Sequence, residues 1–389
     1  MIIDEKFKSK IAAWRHSFHR HPELGFEEVE TAEKVKQILE SFGLEVHKGF
    51  GGTGLVASLK VGGGTKVIGL RADMDALGIS EVAPGRAHIS QIEGKMHACG
   101  HDGHMAMVLG AADLLCSRLD FDGTVRFIFQ PAEEHGRGAK AMIADGLFEK
   151  FPVDSIYGVH NMPGIPAGKF ATRVGGFLAS EDNFVIRIKG VGTHAARPHM
   201  GVDPIVIGSQ IVLALQTVVS RNVDPSLQAV VSCTEFITDG IRNAVPSNVI
   251  IKGDTRSFHP EVQALLQKRM REICEGICAS FGATCEFEYT HEFEITTNWS
   301  DSTNLAVDAA QRIVGAENVD GNASVLMGSE DFGAFTKIVP GNFMLIGNGA
   351  GDEEGSVTLH NEKYDFNDKI LVTGAHYFAE IVRLSLPLA

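Results

Sequence analysis

The sequence predicts an α/β protein: a core built on a mixed, largely parallel sheet, interrupted by an inserted α+β domain. Three observations carry this. Between residues 66 and 160, short apolar runs end abruptly in polar residues and alternate with helical periodicity, as in a parallel sheet with crossover helices. From about residue 180 to 292 the order becomes strand, helix, strand, strand, helix, strand. Beyond 293 the helix–strand–helix character returns. The simplest organisation is one core domain in two parts, 1–179 and 293–389, with 180–292 inserted between them.

Residues 4 to 42 hold two amphipathic helices, one carrying Phe7, Ile11, Trp14 and Phe18, the other Val29, Ala32, Val35 and Leu39. The turn between them contains His19 and His21, punctuated by Pro22 and Gly25. These histidines could be ligands, but a turn anchored by hydrogen bonds is preferred. Gly49 to Gly54 matches G-x-G-x-x-G, yet it precedes a strand, Leu55 to Val61, where a dinucleotide fingerprint must open a helix. The cofactor reading is rejected.

The next strands each end in chemistry. Val67–Leu70 leads into Arg71, Asp73 and Asp75; Val125–Phe129 into Gln130, Glu133, Glu134 and His135; Ile156–Val159 into His160 and Asn161. Between the first two lies a helix with Met105, Val108, Leu109, Ala112, Leu115 and Cys116 on one face, capped by Asp102. Ligands of such sheets bind beyond the carboxyl ends of the strands, so the carboxylates and His160 belong at one edge.

The middle segment reads as strand 184–189, helix 203–221, strands 227–236 and 248–254, helix 260–281 and strand 284–289. That order is the ferredoxin-like split motif. A helix over 301–314, a strand over 343–346 and a closing helix over 368–383 follow, with His360 in the loop before the last helix.

Composition narrows the function classes. The 389 residues are 44% hydrophobic and 22% charged, ordinary for a globular protein. A formal charge of −14 and the lack of a Lys/Arg block argue against nucleic acid. No run approaches the roughly 18 apolar residues of a bilayer span. The N-terminus MIIDEKFKSK lacks an apolar signal core, and six scattered cysteines form no disulfide framework. A cytoplasmic setting, with no membrane partner, is expected.

The densest chemistry lies in Met96–His104, Met-His-Ala-Cys-Gly-His-Asp-Gly-His. Taken alone it is either a helix cap with incidental histidines or the first part of a two-metal hydrolytic centre. In the second reading Cys99 and His101 are ligands, completed by Glu134, His160 and His360. Gly100 between them lets the backbone fold so that both side chains point inward. Imidazole suits zinc, manganese or cobalt, carboxylate the harder ions, and thiolate zinc. In the adjacent pair Glu133–Glu134, one can bind metal while the other acts as general base; the bland alternative is a solvated pair at a helix start. Asp102 is left as the cap, and His97 and His104 take packing or supporting roles.

The whole chain resembles the aminoacylase/carboxypeptidase family of dinuclear metallohydrolases (peptidase family M20), in its amidohydrolase branch. The likeness runs through HRHPELGFEE, LRADMDAL, MHACGHDGH, FQPAEE, GVHNMPGIPAG, GTHAARPHMGVDP, GSEDF and LHNEKYDF, in that order. It implies a metallopeptidase-type catalytic domain and an inserted lid and dimerisation domain. It also implies two divalent ions per subunit, zinc or manganese with nickel or cobalt as further candidates, held by Cys99, His101, Glu134, His160 and His360. Glu133 would be the catalytic base, and Asp75 the aspartate that orients a ligand. Relatives outside the branch carry His where Arg71 or Asp73 falls, so the surroundings of the metals differ here. His194 would stabilise the oxyanion, from its own or a partner subunit. Asn243 and Arg256 would bind the substrate carboxylate. Without the resemblance, His194 reads as a surface residue and Arg256 as an ordinary salt bridge.

The activity implied is hydrolysis of small N-acyl amino acids of the hippurate or N-acetyl type, by a homodimer. A dipeptidase or carboxypeptidase of the same architecture is the enzymic alternative. A non-catalytic binding protein is disfavoured because every ligand candidate and Glu133 are present. Structural zinc is disfavoured because the ligands are dispersed.

Overall fold

The computed structural model describes residues 5 to 388. Two compact units emerge. One comprises the chain up to Phe177, Thr296–Ser324 and everything from Glu330 onward; the other comprises Leu178–Ile295 and also takes in Val325–Ser329.

In chain order the first unit opens with helices α1 (Glu5–Arg20) and α2 (Val29–Ser41). Ala32, Val35 and Leu39 recur at helical spacing on α2 and are buried, as the periodicity requires. Strands β1 (Glu45–Phe50) and β2 (Gly54–Val61) pair antiparallel around Gly51–Gly52, so the glycine-rich match is a hairpin turn with no helix behind it. Then come β3 (Val67–Asp73), α3 (His101–Arg118), β4 (Gly123–Gln130), β5 (Ser155–Pro163) and the short β6 (Phe170–Ala171).

The second unit contributes β7 (Glu181–Lys189), α4 (Pro204–Asn222), β8 (Ala229–Thr238), β9 (Asn248–Ser257), α5 (Pro260–Ser280) and β10 (Thr284–Phe293). The first unit is completed by α6 (Ser300–Val314), β11 (Val319–Asp320), β12 (Gly341–Gly349) and α7 (Leu371–Ser385).

The first unit's eight-stranded sheet has the order β1-β2-β4-β3-β5-β12-β6-β11. Its centre is parallel: β3 runs with β4 and β5, and β12 runs with β5. Every residue of β12 is buried, as expected for a strand covered on both faces. Parallel direction puts the carboxyl ends of these central strands at one edge, where Asp75, Glu133 and Glu134 follow β3 and β4. His160 sits inside β5 and not beyond it, because that strand runs on to Pro163.

Helix α3 departs from expectation in two ways. It is buried nearly all round, residues 101 to 112 without exception, because α1, α7 and the sheet enclose it. Its N-cap is Gly100 at φ +100°, and Asp102 is a buried residue of the first turn with no capping bond. A one-faced helix capped by Asp102 is thereby corrected.

The second unit's four-stranded sheet is antiparallel, in the order β8-β9-β7-β10. Alternation along β7 turns Phe184, Ile186 and Ile188 inward, onto Ile207, Ile211, Leu215 and Val218 of α4 and Val262, Leu266 and Met270 of α5. Asp203 caps α4 by accepting from the Ile205 N–H at 2.9 Å, with Pro204 at the first helical position. Helix α4 would pass for a bilayer span by length and composition alone, a weak sign that a core helix also shows. Its inner face is instead committed to this core.

Candidate metal centre

Three segments of the first unit converge on Cys99. It lies in the loop before α3, buried, with Sγ 3.4 Å from His160 Nε2. His160 donates its Nδ1 hydrogen to the Asn161 carbonyl at 2.6 Å, which leaves Nε2 bare. His101, the first residue of α3, is oriented in the same manner. Its Nδ1 faces the Asp75 carbonyl at 2.8 Å and Asp75 Oδ1 at 3.2 Å, so Nε2 turns toward Glu134. The other Asp75 oxygen accepts from the Glu134 N–H at 3.0 Å. Asp75 therefore holds two of the expected ligands at once.

Glu134 Oε1 also lies 3.4 Å from His360 Nε2. His360 occupies the left-handed region at φ +60°, rare for a residue with a side chain, and its N–H donates to the Ala98 carbonyl at 2.9 Å. The donor atoms form overlapping groups: Cys99–His101–His160, Cys99–Glu134–His360 and His101–Glu133–Glu134, each within 4.8 Å of one another. All five expected ligands and the expected base thus share one cluster.

The cluster fits cations on a local criterion. His101 Nε2 is buried without a hydrogen-bond partner, which costs on the order of 1–3 kcal/mol unless something satisfies it, and Glu134 Oε1 meets His360 Nε2 at a long 3.4 Å. Charge points the same way. Burial pushes the Cys99 thiol well up, reinforced by Glu134, Glu133 and Asp73, and a divalent cation would reverse that balance and favour the thiolate. Burial and neighbouring His104 keep His160 neutral, as a metal-binding imidazole must be. His101 is the reverse case: burial opposes charge, but Asp73 and Asp75 overcome it and raise its pKa to about 10.

Glu133 is buried beside Glu330, Glu134, Asp331 and Asp75, and burial with these carboxylates raises its pKa well above the ordinary range. Its Oε1 accepts from the Asp331 N–H at 3.3 Å. The residues that brace it carry no signal of that role in the sequence beyond the GSEDF motif, which contains two of them, Glu330 and Asp331. Arg71, fully buried, binds Asp73 at 2.7 Å, Glu330 at 2.8 Å, Asp331 at 3.1 Å and Gln130 at 2.8 Å. One guanidinium thus neutralises the carboxylates behind Glu133. Gln130 donates to both Asp331 oxygens, at 2.6 and 2.8 Å.

His104 bridges Asp73 at 2.6 Å and Asn161 at 2.8 Å. His97 is buried with neither ring nitrogen hydrogen-bonded, and burial lowers its pKa to about 4. His19 and His21 anchor their turn, as preferred: His19 binds Asp102 at 2.8 Å and His21 donates to the Ser17 carbonyl at 3.1 Å.

The family model for peptidase family M20/M25/M40 matches residues 69–384. The chain belongs to that family. A hippurate hydrolase of Campylobacter jejuni is 41% identical over 94% of each chain, and an N-acetylcysteine deacetylase of Bacillus subtilis is 37% identical over 99% of each. A solved Bacillus subtilis structure, described as a dinuclear metal binding peptidase of the M20 family, matches with a TM-score of 0.86. It is 34% identical, covering 98% of this chain and 99% of its own.

The remaining candidates of this M20 chain lie in the second unit. His194 pairs across from Ala244 in a two-residue ribbon, and Ala195 N–H donates to the Asn243 carbonyl at 3.0 Å, so His194 and Asn243 are neighbours. The Ala196 N–H donates to His194 Nδ1 at 3.0 Å. That bond requires a lone pair on Nδ1 and so places the hydrogen of the neutral ring on Nε2. His194 is an exposed donor. Arg256 is differently placed: its guanidinium pairs with Asp254 at 2.7 Å and Glu181 at 2.9 Å and donates to Ser329 Oγ at 2.7 Å.

Proposed function

We propose that this chain is a metal-dependent amidohydrolase that cleaves N-acyl amino acids of the hippurate or N-acetyl type. The observation that carries the reading is the cluster of Cys99, His101, Glu134, His160 and His360, with His101 Nε2 buried and without a hydrogen-bond partner beside Glu133. These five residues would hold two divalent cations, which when bound polarise the acyl carbonyl and lower the pKa of water.

The protein's own groups would do the rest. Glu133 would take a proton from the attacking water and deliver it to the amine, which leaves far more readily as a neutral species. Asp75 would keep His101 in the tautomer that presents Nε2. His194 would offer Nε2–H to the oxygen as negative charge develops there. Asn243 would bind the substrate carboxylate. Arg256 would join it only by releasing Asp254 or Glu181.

Zinc is favoured by the thiolate and imidazoles, with manganese, nickel and cobalt to be compared. A homodimer through the second unit is supported by exposed Ile205, Val206 and Leu213 on α4 and Phe236 and Ile237 on β8. Six free cysteines support a reducing, cytoplasmic setting.

The test is a substrate panel on metal-stripped protein with each divalent ion restored in turn. Hippurate and N-acetyl amino acids should be hydrolysed well and dipeptides poorly. The opposite order would favour the dipeptidase reading, and absence of both metal binding and turnover would leave a binding protein.

A further inference from the structure

The HRHPE turn and its helix contribute no ligand to the centre, yet they hold a buried charge network beside it. Arg15 of α1 is 1% exposed. Its guanidinium lies 3.2 Å from Asp102, 3.0 Å from Asp365 and 2.5 Å from Asp368. Asp102 is fully buried and also accepts from His19 at 2.8 Å. Isolated, such a carboxylate would cost several kcal/mol to bury.

The positions of these acids matter more than their number. Asp102 is the residue after His101 and three beyond Cys99, whereas Asp365 and Asp368 belong to the segment that begins at His360. Arg86 grips that segment too, through the Tyr364 carbonyl at 2.8 Å, the Lys363 carbonyl at 3.1 Å and Asp365 at 3.2 Å. Tyr364 in turn accepts from Asn161, next to His160, at 2.6 Å. His360 itself is half exposed and held at φ +60°, a conformation that persists only where its surroundings over-determine it.

We propose that Arg15 is a positioning residue for the metal centre, clamping the Cys99–His101 segment to the His360 segment through Asp102 on one side and Asp365 and Asp368 on the other. The clamp sets the distance between ligands 259 or more positions apart in the chain, and it rests on the assignment of Cys99, His101 and His360 as ligands. Releasing it frees the strained His360 turn. The cation that uses His360 should therefore weaken by about 10- to 100-fold, the usual cost of losing a partner that orients a ligand. Where only the His360 side is released and Arg15–Asp102 stays intact, the cation held by His101 and His160 should keep its affinity.

The test is competition of zinc between the metal-stripped protein and a chromophoric chelator, with circular dichroism melting of the same apoprotein. Arg15→Gln breaks both sides of the clamp. Asp365→Asn with Asp368→Asn breaks only the partly exposed His360 side and decides the matter if Arg15→Gln does not fold. Arg15→Lys, keeping charge without the fork, should fall between wild type and Arg15→Gln. Selective weakening of one of two zinc sites, with the apoprotein melting near the wild-type temperature in the double variant, supports the clamp. Two unchanged sites, or equal weakening of both that tracks the loss of stability, overturn it. If wild type itself binds no zinc, the ligand assignment fails first, which is a distinct outcome.

Discussion

Gly100→Ala tests the geometry of the centre at its tightest point. The residue sits at φ +100°, and an added Cβ would fall 2.1 Å from Asn161 Oδ1 and 2.6 Å from Tyr364 Oη, where about 3.0 Å is the shortest tolerable approach. Asn161 must therefore retreat by about 1 Å, and it cannot do so alone. It binds His104 and Tyr364, and its backbone is joined to His160.

The left-handed backbone costs a side chain roughly 1–2 kcal/mol, and overpacking costs roughly 1–3 kcal/mol more. The sum, about 2–5 kcal/mol, is within the stability of an ordinary domain, so the variant should fold and melt at a lower temperature. Catalysis should suffer more, since a displacement of about 1 Å in a positioned site can cost on the order of 10²-fold in rate. Hippurate hydrolysis at saturating cation, beside a thermal melt, measures both. Wild-type kcat/KM in a destabilised variant would show that Gly100 serves only the packing of the loop.

Other perturbations separate the roles. Glu133→Gln should lower kcat on the order of 10²- to 10⁴-fold while metal content stays that of wild type; an active variant removes Glu133 from the chemistry. His194→Ala should cost about 10²- to 10³-fold in kcat without altering zinc affinity in the chelator assay. A third test concerns pH. Burial raises Glu28 from 4.5 to about 7, against the lowering effect of its bonds from Thr53 and Ala132. Below about 4.5 both folded and unfolded forms carry the proton and stability is complete. Between 4.5 and 7 the unfolded chain releases it first, so apoprotein stability falls by up to about 3 kcal/mol. Glu28→Gln should remove that decline in melts taken across pH 4.5 to 8; an unchanged slope would mean that Glu28 ionises normally.

Much of this was legible in sequence because it is local. Strand runs ending in Asp75, Glu133 and Glu134 identify a parallel sheet and its functional edge, and Gly100 between Cys99 and His101 marks a backbone that must fold tightly. What stayed hidden was pairing over long distances. Asp102 reads as a helix cap, since Asp commonly is one, until Arg15 and His19 are seen to claim it. Arg71 reads as an oddity beside Asp73 because its other partners, Glu330 and Asp331, lie some 260 positions away. The resemblance assigns Arg256 to a substrate carboxylate, whereas Glu181 and Asp254 sit on its guanidinium, the salt bridge that the residue alone suggests. Strand order was likewise beyond periodicity, which fixes faces and not neighbours.

That order has a consequence during synthesis. Strand β5 gains its second neighbour only from β12, near the end of the chain. At roughly 5–20 residues per second, the roughly 180 residues between them take about 10 to 35 s to emerge from a ribosome. Throughout that interval the nascent chain carries an apolar strand with one unpaired edge, a template for mispairing. Cells making this protein quickly should therefore lose it to aggregation or hold it on chaperones, and slowing translation after β5 should not help until the last fifty residues arrive.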